Sequence, residues 1–305
     1  MKNGNFVRQV IFPLLAALIW GTAFVAQDVC ADVIDTFTFN ALRSYVAVIV
    51  LLIIIKIFDR VQKKEKPQLT PEEKKESRRQ LIIGGVCCGI ALGIASNFQQ
   101  AGIQAGTDVG KASFITALYV VLVPIFGLFF KRKVKLPVWI AVVLSVAALY
   151  LLCIKGEFRL AAGDFLILVC AICFAIHILV IDHFTATVDG IKLSCMQFLV
   201  AGIISTVCMI LFSHPDWHAV WQCALPILYV GVFSSGGAYT LQILAQKGSN
   251  PTVVTILLSM ESVFGAISGA IILHQRMTGR ELLGCVLMFA AVILAQLDFS
   301  RKKEA

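Results

Sequence analysis

The sequence predicts an all-α integral membrane protein with ten transmembrane helices arranged as two inverted five-helix repeats. Three observations predict this fold class: an apolar composition, ten long apolar segments and a weak internal repeat. Of the 305 residues, 59% are apolar and 14% are charged, and the mean hydropathy is +0.87. Soluble domains usually carry about 25% charged residues. The composition therefore excludes an ordinary soluble protein.

Ten apolar segments are long enough to cross a bilayer, because a transmembrane helix needs about 20 mostly apolar residues. Their predicted bounds are 10–31, 36–58, 80–104, 111–130, 137–154, 163–183, 191–213, 222–246, 252–273 and 280–298. Only Lys2 and Arg8 precede the first segment, and no convincing small-residue cleavage site follows it. We therefore interpret it as a retained first helix and not as a signal peptide.

The distribution of basic residues predicts the orientation of the chain. With the N-terminus in the cytoplasm, twenty of the 26 Lys and Arg residues fall on the cytoplasmic side. Cytoplasmic loops of membrane proteins carry such an excess of Lys and Arg. The net charge of +8 is thus explained by membrane topology and requires no nucleic acid partner. The longest loop, at about residues 59–79, is interpreted as a solvated cytoplasmic connector.

An internal repeat divides the chain into residues 1–154 and 155–305. An offset of 154 residues aligns spans 1 and 2 with spans 6 and 7, and an offset of 143 aligns spans 3 to 5 with spans 8 to 10. The matches include Asp28/Asp182, Asp35/Asp189, Gly93/Gly236 and Gln99/Gln242. Five helices is an odd number, so the second half must enter the membrane inverted. Inverted repeats are typical of secondary transporters, whose substrate sites lie near the bilayer midplane between the halves.

Five sequence stretches carry a family resemblance that covers nearly the whole chain. They are AALIWGTAFVA in span 1, NALRSY in span 2, KASFITALYVVLVPIFG in span 4, ILLSMESVFGAI in span 9 and GRELLGCVLMFAAVIL in span 10. Together they resemble the EamA-type ten-helix branch of the drug/metabolite transporter superfamily. The resemblance implies a carrier of small metabolites, often outward, in a bacterial-type cytoplasmic membrane with both termini cytoplasmic.

The chain departs from the family pattern at two places in span 9. Many relatives have Pro after the acidic residue and a Gly-Glu-Arg turn at the end of the helix, whereas this chain has Ser262 and the segment HQRM at 274–277. What is known of gating at those positions is therefore not carried over.

Three ionisable residues lie deep within predicted spans, where a charge at a helix centre costs about 2.5–3.5 kcal/mol or more. Glu261 lies about ten residues into span 9 and could couple protonation to transport, or be a neutral acid that hydrogen-bonds for packing. Arg43, whose repeat counterpart is Gln197, could bind a substrate carboxylate, pair with Glu261 or snorkel to the interface. His177 is a second coupling candidate, with a satisfied packing role as the alternative.

Polar side chains in other spans predict the walls of a cavity, or else bridges between helices. In span 3, Asn97, Gln100 and Gln104 share one helical face, and Gln99 is predicted to point elsewhere. Aromatic Trp20 could wall the cavity by stacking on a flat or cationic substrate. The predicted substrate-binding residues are Trp20, Asn40, Arg43, Asn97, Gln100, Thr116, Tyr119, Tyr239 and Gln242, and the coupling residues are Glu261 and His177.

These features predict a secondary active transporter that exports or exchanges small polar metabolites such as amino acids, amines or nucleobase-like compounds. Alternating access would move them, with protons as the candidate coupling ion. The alternatives are a broad-specificity drug efflux carrier, a channel or a non-transporting membrane protein. No HExxH, GxSxG or phosphate-binding loop suggests an enzyme. No cofactor or metal is expected, and the Cys170–Cys173 pair in an apolar span is interpreted as packing. The expected partners are the substrate and the lipid bilayer, and the oligomeric state is open.

Overall fold

The computed structural model describes residues 6–61, 70–131, 134–154, 160–272 and 277–300. Within these ranges all regular structure is helical, and nine helices are long and apolar enough to cross a membrane, with a shorter apolar stretch at Pro251–Ile267. The predicted all-α membrane fold is confirmed. The predicted connector at 62–69, Lys2 and residues 274–276 of the HQRM segment lie outside the described residues.

The helices are numbered by the span that they form. They are α1 (Val7–Ala31), α2 (Thr36–Val61), α3 (Pro71–Gln104), α4a (Val109–Ala117), α4b (Tyr119–Phe129), α5 (Leu136–Cys153), α6 (Ala162–Phe184), α7 (Gly190–Phe212), α8 (Ala224–Gln246), α9a (Pro251–Leu258), α9b (Met260–Ile272) and α10 (Gly279–Ser300). A short helix, Trp217–Gln222, precedes α8.

Helix α3 begins about nine residues earlier than predicted, inside the stretch interpreted as a loop. Thr70 and Glu73 form a capping box, in which each side chain bonds the other residue's backbone N–H, and Pro71 occupies the first turn. The Glu76 carboxylate accepts bonds from Arg79, at 3.3 Å, and from Gln80, at 2.7 Å. These local bonds extend the helix into water, so the interpretation of 71–79 as a loop was wrong.

Polar caps and two glycines set other helix ends. Asp108 accepts from the Gly110 N–H at 2.9 Å at the start of α4a, and Asn250 accepts from the Thr252 N–H at 3.0 Å at the start of α9a. Gly106 and Gly248 follow α3 and α8 with φ of 86° and 73°, a backbone conformation that favours glycine. These signals fix where the chain turns between spans 3 and 4 and between spans 8 and 9.

Spans 4 and 9 are interrupted near their middles. Leu118 separates α4a from α4b, and Ser259 separates α9a from α9b. Span 9 was predicted as one continuous helix, with Glu261 about ten residues along it. In the structure Glu261 lies in the first turn of the second half-helix.

Span 8 is irregular as well, because its central part, Val230–Ala238, is π-helical. π-Helical turns are rare and occur often at functional sites. This stretch holds Ser234 and Ser235, which are both buried.

Helices of the two halves pack against each other. Helix α3 contacts α6 and α7, helix α1 contacts α9b, and helix α5 contacts α10. A Cβ atom at Gly85 would lie 2.4 Å from Met196 Cβ, and one at Gly89 would lie 2.5 Å from Val200 Cβ. The glycine face of α3 therefore lets the backbones of α3 and α7 approach closely.

Candidate functional site

A central cavity lies among helices α1, α2, α3, α4, α6, α8 and α9. Its volume, measured as the space open to the centres of water molecules, is about 40 Å³. One ordered water needs about 10–15 Å³ by this measure, so the cavity has room for a few waters in this conformation. Its polar lining residues are Trp20, Gln27, Arg43, Gln99, Thr116, Tyr119, Ser234, Tyr239, Gln242 and Glu261. Ala23, Phe24, Phe174, Ile178 and Leu258 complete the lining.

Glu261 contributes an acidic group to this cavity and is only 3% exposed. The Tyr119 hydroxyl donates to Glu261 Oε1 at 3.4 Å, which joins the first turns of α4b and α9b. The positive end of the α9b dipole lies at this first turn and favours a negative charge there. A Cβ atom at Gly21 would lie 2.6 Å from the Glu261 carbonyl oxygen, so helix α1 approaches closely on the other side.

Arg43 contributes a cationic group to the same cavity and is also 3% exposed. Its Nη1 donates to Gln27 Oε1 at a long 3.4 Å, and its Nε is buried without a partner. The guanidinium carbon lies 5.6 Å from the centre of the Phe39 ring. The structure does not support snorkelling, because the side chain faces the interior of the bundle.

Arg43 and Glu261 face one cavity but do not pair with each other. Their described contacts include no ion pair, and the carboxylate's one hydrogen bond comes from Tyr119. The predicted direct Arg43–Glu261 pair is therefore absent among these contacts. A buried guanidinium and a buried carboxyl group are left facing the same enclosed space.

Aromatic rings form one wall of the cavity. The Trp20 and Tyr239 rings meet edge to face with their centroids 4.8 Å apart, and Phe174 lies 6.5 Å from Tyr239. The Trp20 Nε1 and Gln242 Oε1 atoms are buried without hydrogen-bond partners. This wall therefore offers flat apolar surface together with an unpaired donor and an unpaired acceptor.

Gln99 lines the cavity, so the prediction that the face of Asn97 and Gln100 lines it was wrong. Its Nε2 donates to Thr116 Oγ1 at 3.2 Å, and Thr116 lines the cavity too. Helical spacing separated Gln99 correctly from the face of Asn97 and Gln100. It could not show which of the two faces turns toward the cavity.

Three predicted substrate-binding residues, Asn40, Asn97 and Gln100, lie outside the lining and bridge helices. Asn40 Nδ2 donates to Asn97 Oδ1 at 3.0 Å, joining α2 to α3. Asn97 Nδ2 donates to Ser205 Oγ of α7 at 3.0 Å, and Gln100 Nε2 donates to the Gln27 carbonyl oxygen of α1 at 3.1 Å. Each amide satisfies polar groups of a neighbouring helix, so it is turned away from the cavity.

The EamA-like transporter family model matches this chain at residues 8–154 and 161–297. The chain belongs to this family. The resemblance noted in the sequence is thereby confirmed, and the two matched ranges agree with an internal two-repeat arrangement.

Two curated relatives of this EamA-like protein are named as transporters. An "Uncharacterized transporter" of Archaeoglobus fulgidus is 27% identical over 289 residues, which are 93% of this chain and 84% of the relative. The "Uncharacterized transporter YoaV" of Bacillus subtilis is 22% identical over 305 residues, covering 97% of this chain and 99% of that protein. Family and relatives identify a multi-pass membrane transporter.

A solved crystal structure has the same fold. It covers 97% of this chain and 99% of its own chain with a TM-score of 0.77 and 17% sequence identity. At that identity the similarity concerns the fold alone.

His177 of this EamA-like protein lies outside the cavity lining and is fully buried. Its Nε2 is 2.9 Å from Gln197 Oε1, and its Nδ1 has no partner. Its ring centre lies 6.1 Å from that of Tyr239, which does line the cavity. The predicted coupling residue is thus one side chain removed from the cavity.

Three polar lining residues of the EamA-like cavity, Gln27, Gln99 and Ser234, were not among the predicted site residues. Gln27 lies seven residues after Trp20, on the same face of α1, so helical spacing could have identified it. Ser234 lies in the π-helical part of α8, where a regular helical period does not give the facing side. No sequence signal identified Ser234.

Proposed function

We propose that this EamA-like protein is a secondary active transporter that exports or exchanges small polar metabolites through the central cavity. One observation carries the proposal: a basic and an acidic side chain, Arg43 and Glu261, are buried and unpaired with each other, yet line the same cavity. The chain's membership in a transporter family supports the same conclusion.

The energetics of buried charge indicate what the cavity binds. Charges inside a membrane protein are rare and normally pair or face a water-filled cavity. A ligand with a carboxylate and an ammonium group would pair with both Arg43 and Glu261 at once. Among amino acids, amines and nucleobase-like compounds, the amino-acid-like zwitterions therefore match the site best. Arg also binds carboxylates through two parallel hydrogen bonds, which adds geometric selectivity.

Protons are the proposed coupling ion, with Glu261 as the coupling group. Protonation removes the charge of Glu261, so a proton and a substrate ammonium compete for the same carboxylate. Competition of this kind makes proton movement and substrate movement opposite in direction, which suits an exporter. We propose a supporting role for His177, whose ring lies beside those of the cavity-lining residues Phe174 and Tyr239.

Alternating access is the proposed transport mechanism, with residues 1–154 and 155–305 as the two repeats. The interruptions of α4 and α9 support it, because discontinuous helices recur at the midplane sites of transporters built from inverted repeats. The proposed location is a bacterial-type cytoplasmic membrane with both termini in the cytoplasm. That orientation rests on the Lys and Arg distribution.

Broad-specificity drug efflux is the second candidate function, and the aromatic wall favours it. Trp20, Phe174 and Tyr239 could bind a flat cation by cation–π contacts. Such a substrate would use Glu261 but would leave Arg43 unpaired. The two candidates therefore differ in their need for Arg43.

Thermal stability of the purified protein distinguishes these substrates. L-leucine is compared with isoamylamine, which lacks its carboxylate, and with 4-methylpentanoate, which lacks its amine. A zwitterion site predicts that the amino acid raises the Tm most, and that Arg43→Gln abolishes its advantage over the amine. If isoamylamine stabilises both proteins equally and the amino acid stabilises neither, the zwitterion assignment fails and cation efflux is favoured. Other zwitterionic amino acids are tested as well, because the site could prefer a side chain different from that of leucine.

A further inference from the structure

A second cavity lies beside the first and is larger. Its volume by the same measure is about 280 Å³. One wall is apolar and comes from α4b and α6, including Pro124, Gly127 and Leu179. The other wall is the turn from α8 to α9, with the polar residues Ser249 and Thr252. We call this cavity the vestibule.

Helices α6 and α8 meet between residues that line the two cavities, and we call this contact the partition. In helix α6, Ile178 lines the central cavity and its neighbour Leu179 lines the vestibule. In helix α8, Gln242 lines the central cavity, and Gln246 follows one turn later. Gln246 Nε2 donates to the Ile178 carbonyl oxygen at 2.8 Å and thereby joins α8 to α6. Neighbouring residues of α6 therefore line the two cavities, and Gln246 binds α8 to α6 at this point.

The partition contains buried polar atoms without partners. Gln242 Oε1 and Gln246 Oε1 lie on one face of α8, and neither accepts a hydrogen bond. Buried polar atoms in folded proteins nearly always have a partner, either protein or ordered water. These two oxygens are therefore suited to contact water or a polar ligand that passes between the cavities.

The vestibule lies on the side of the membrane predicted to be cytoplasmic. Ser249 belongs to the loop between α8 and α9, and Val134 belongs to the loop between α4b and α5. Lys131, Lys135 and Lys247 occupy the same two loops. Basic residues in short loops indicate the cytoplasmic side.

We propose that the vestibule is the cytoplasmic access site for the polar substrate, and that the contact between Gln246 and Ile178 closes the passage to the central cavity. This inference rests on the proposed function, because it describes how the substrate of the proposed transporter reaches the central cavity from the cytoplasm. The hydroxyl groups of Ser249 and Thr252 and the amide of Asn250 replace part of the hydration of a small polar solute, and the apolar wall accepts its carbon skeleton. Breaking the amide contact lets α8 separate from α6 and joins the two cavities.

Cysteine accessibility tests the route without a known substrate. The background protein has Ser at Cys87, Cys173 and Cys208, the native cysteines of the described chain that are not buried. Thr252→Cys reports on the vestibule, and Leu128→Cys on the neighbouring α4b surface, where Leu128 is 51% exposed on the outside of the bundle. A charged, membrane-impermeant methanethiosulfonate reagent is applied to inside-out and to right-side-out vesicles.

The expected result is labelling of Thr252→Cys from the cytoplasmic face at least about tenfold faster than labelling of Leu128→Cys. Adding Gln246→Ala should accelerate labelling of Thr116→Cys in the central cavity by a similar factor and leave labelling of Thr252→Cys unchanged. Faster labelling of Thr252→Cys from the opposite face overturns the route. An unchanged Thr116→Cys rate in the Gln246→Ala background overturns the role of the amide contact.

These outcomes are separable from failure of the proposed function. Vestibule labelling with no transport of any compound would support an aqueous access route and count against the transporter assignment. Transport that persists after complete labelling of Thr252→Cys would count against the route alone.

Discussion

Leu118 and Ser259 interrupt helices α4 and α9 with the same backbone conformation. Leu118 has φ −60° and ψ −10°, and Ser259 has φ −62° and ψ −11°. The two positions are 141 residues apart (259 − 118), within two residues of the 143-residue offset that aligns spans 4 and 9. Each interruption is followed by a half-helix with a cavity-lining side chain in its first turn, Tyr119 in α4b and Glu261 in α9b, and a hydrogen bond of 3.4 Å joins them.

Replacing Glu261 with Gln should remove the pH dependence of transport. The amide keeps the shape of the side chain and can still contact Tyr119, but it cannot take up or release a proton. Uptake driven by a pH gradient should fall at least about tenfold, whereas exchange without a gradient should be less affected. The measurement is uptake by reconstituted vesicles across a series of pH values. Glu76→Gln, at an exposed site on α3, is the matched control. An unaltered pH profile in Glu261→Gln would remove the carboxylate from the coupling role.

Replacing Arg43 with Gln should abolish the response to zwitterions without lowering the stability of the protein. Arg43 is buried and unpaired with an acid, so removal of its charge relieves a desolvation cost. Gln occupies the corresponding position 197 in the second repeat and is fully buried there. We expect a Tm equal to or above that of the unmodified protein, with no shift on adding the amino acid.

Arg43→Lys completes the test of that site. Lysine keeps the positive charge but lacks the planar guanidinium group that binds a carboxylate through two hydrogen bonds. The affinity for a carboxylate should therefore fall about tenfold, while selectivity for anionic groups remains. A large drop in the Tm of Arg43→Gln would instead assign Arg43 a structural role.

Replacing Gly21 with Ala should destabilise the protein and disturb the site. The new Cβ atom would lie 2.6 Å from the Glu261 carbonyl oxygen and 2.8 Å from the Gly265 nitrogen, and these backbone atoms cannot move independently of α9b. Overpacking of this kind costs about 1–3 kcal/mol. Thermal unfolding in detergent gives the measurement, with Gly237→Ala as the control because its nearest neighbour would be 3.6 Å away. Equal Tm values for the two variants would show that α1 and α9b are not held at this distance.

Asp35, in the turn before α2, should stabilise the protein in a pH-dependent way. Burial raises the pKa of its carboxyl, but hydrogen bonds from Thr38, Ser213 and the Phe37 N–H outweigh this and hold the pKa below its ordinary value of 3.8. The folded state thus favours the charged form. The stabilisation is present above pH 3.8 and is lost as the pH falls through the lower pKa of the folded state.

The test compares Asp35→Asn with the unmodified protein at neutral pH and near pH 3. Asp35→Asn should have the lower Tm at neutral pH, and the difference should shrink in acid. Ser213→Ala, which removes one bond of 2.7 Å to the carboxylate, should give a smaller effect of the same sign. A difference that does not change with pH would contradict the assignment.

The charges of the site could be identified from sequence, but their surroundings could not. Arg43 and Glu261 stand out because they interrupt apolar runs. The interruptions of α4 and α9 have no such signal, since neither Leu118 nor Ser259 is a residue that usually breaks helices. The choice between Gln99 and Gln100 as a lining residue depends on how α3 is rotated against α1, α4 and α7. That rotation is set by tertiary packing, as at Gly85 and Gly89, and periodicity alone does not report it.

The start of α3 is a different case, because its signal was present in the sequence. Thr70, Pro71 and Glu73 form a recognisable helix start, but the many charges that follow favoured interpretation as a loop. The extension remains helical through local capping and side-chain pairs and needs no buried face. Charge content was therefore the wrong criterion there.

Uptake by reconstituted vesicles tests the central claim most directly. Vesicles containing the protein are given a mixture of amino acids, amines and nucleobases, with and without a pH gradient, and their contents are identified by mass spectrometry. We predict saturable accumulation of a zwitterionic compound that responds to the gradient and is lost in Arg43→Gln. Flux that does not saturate, or saturable uptake that is equal in Arg43→Gln and Glu261→Gln, would contradict a transporter whose substrate is held between these two residues.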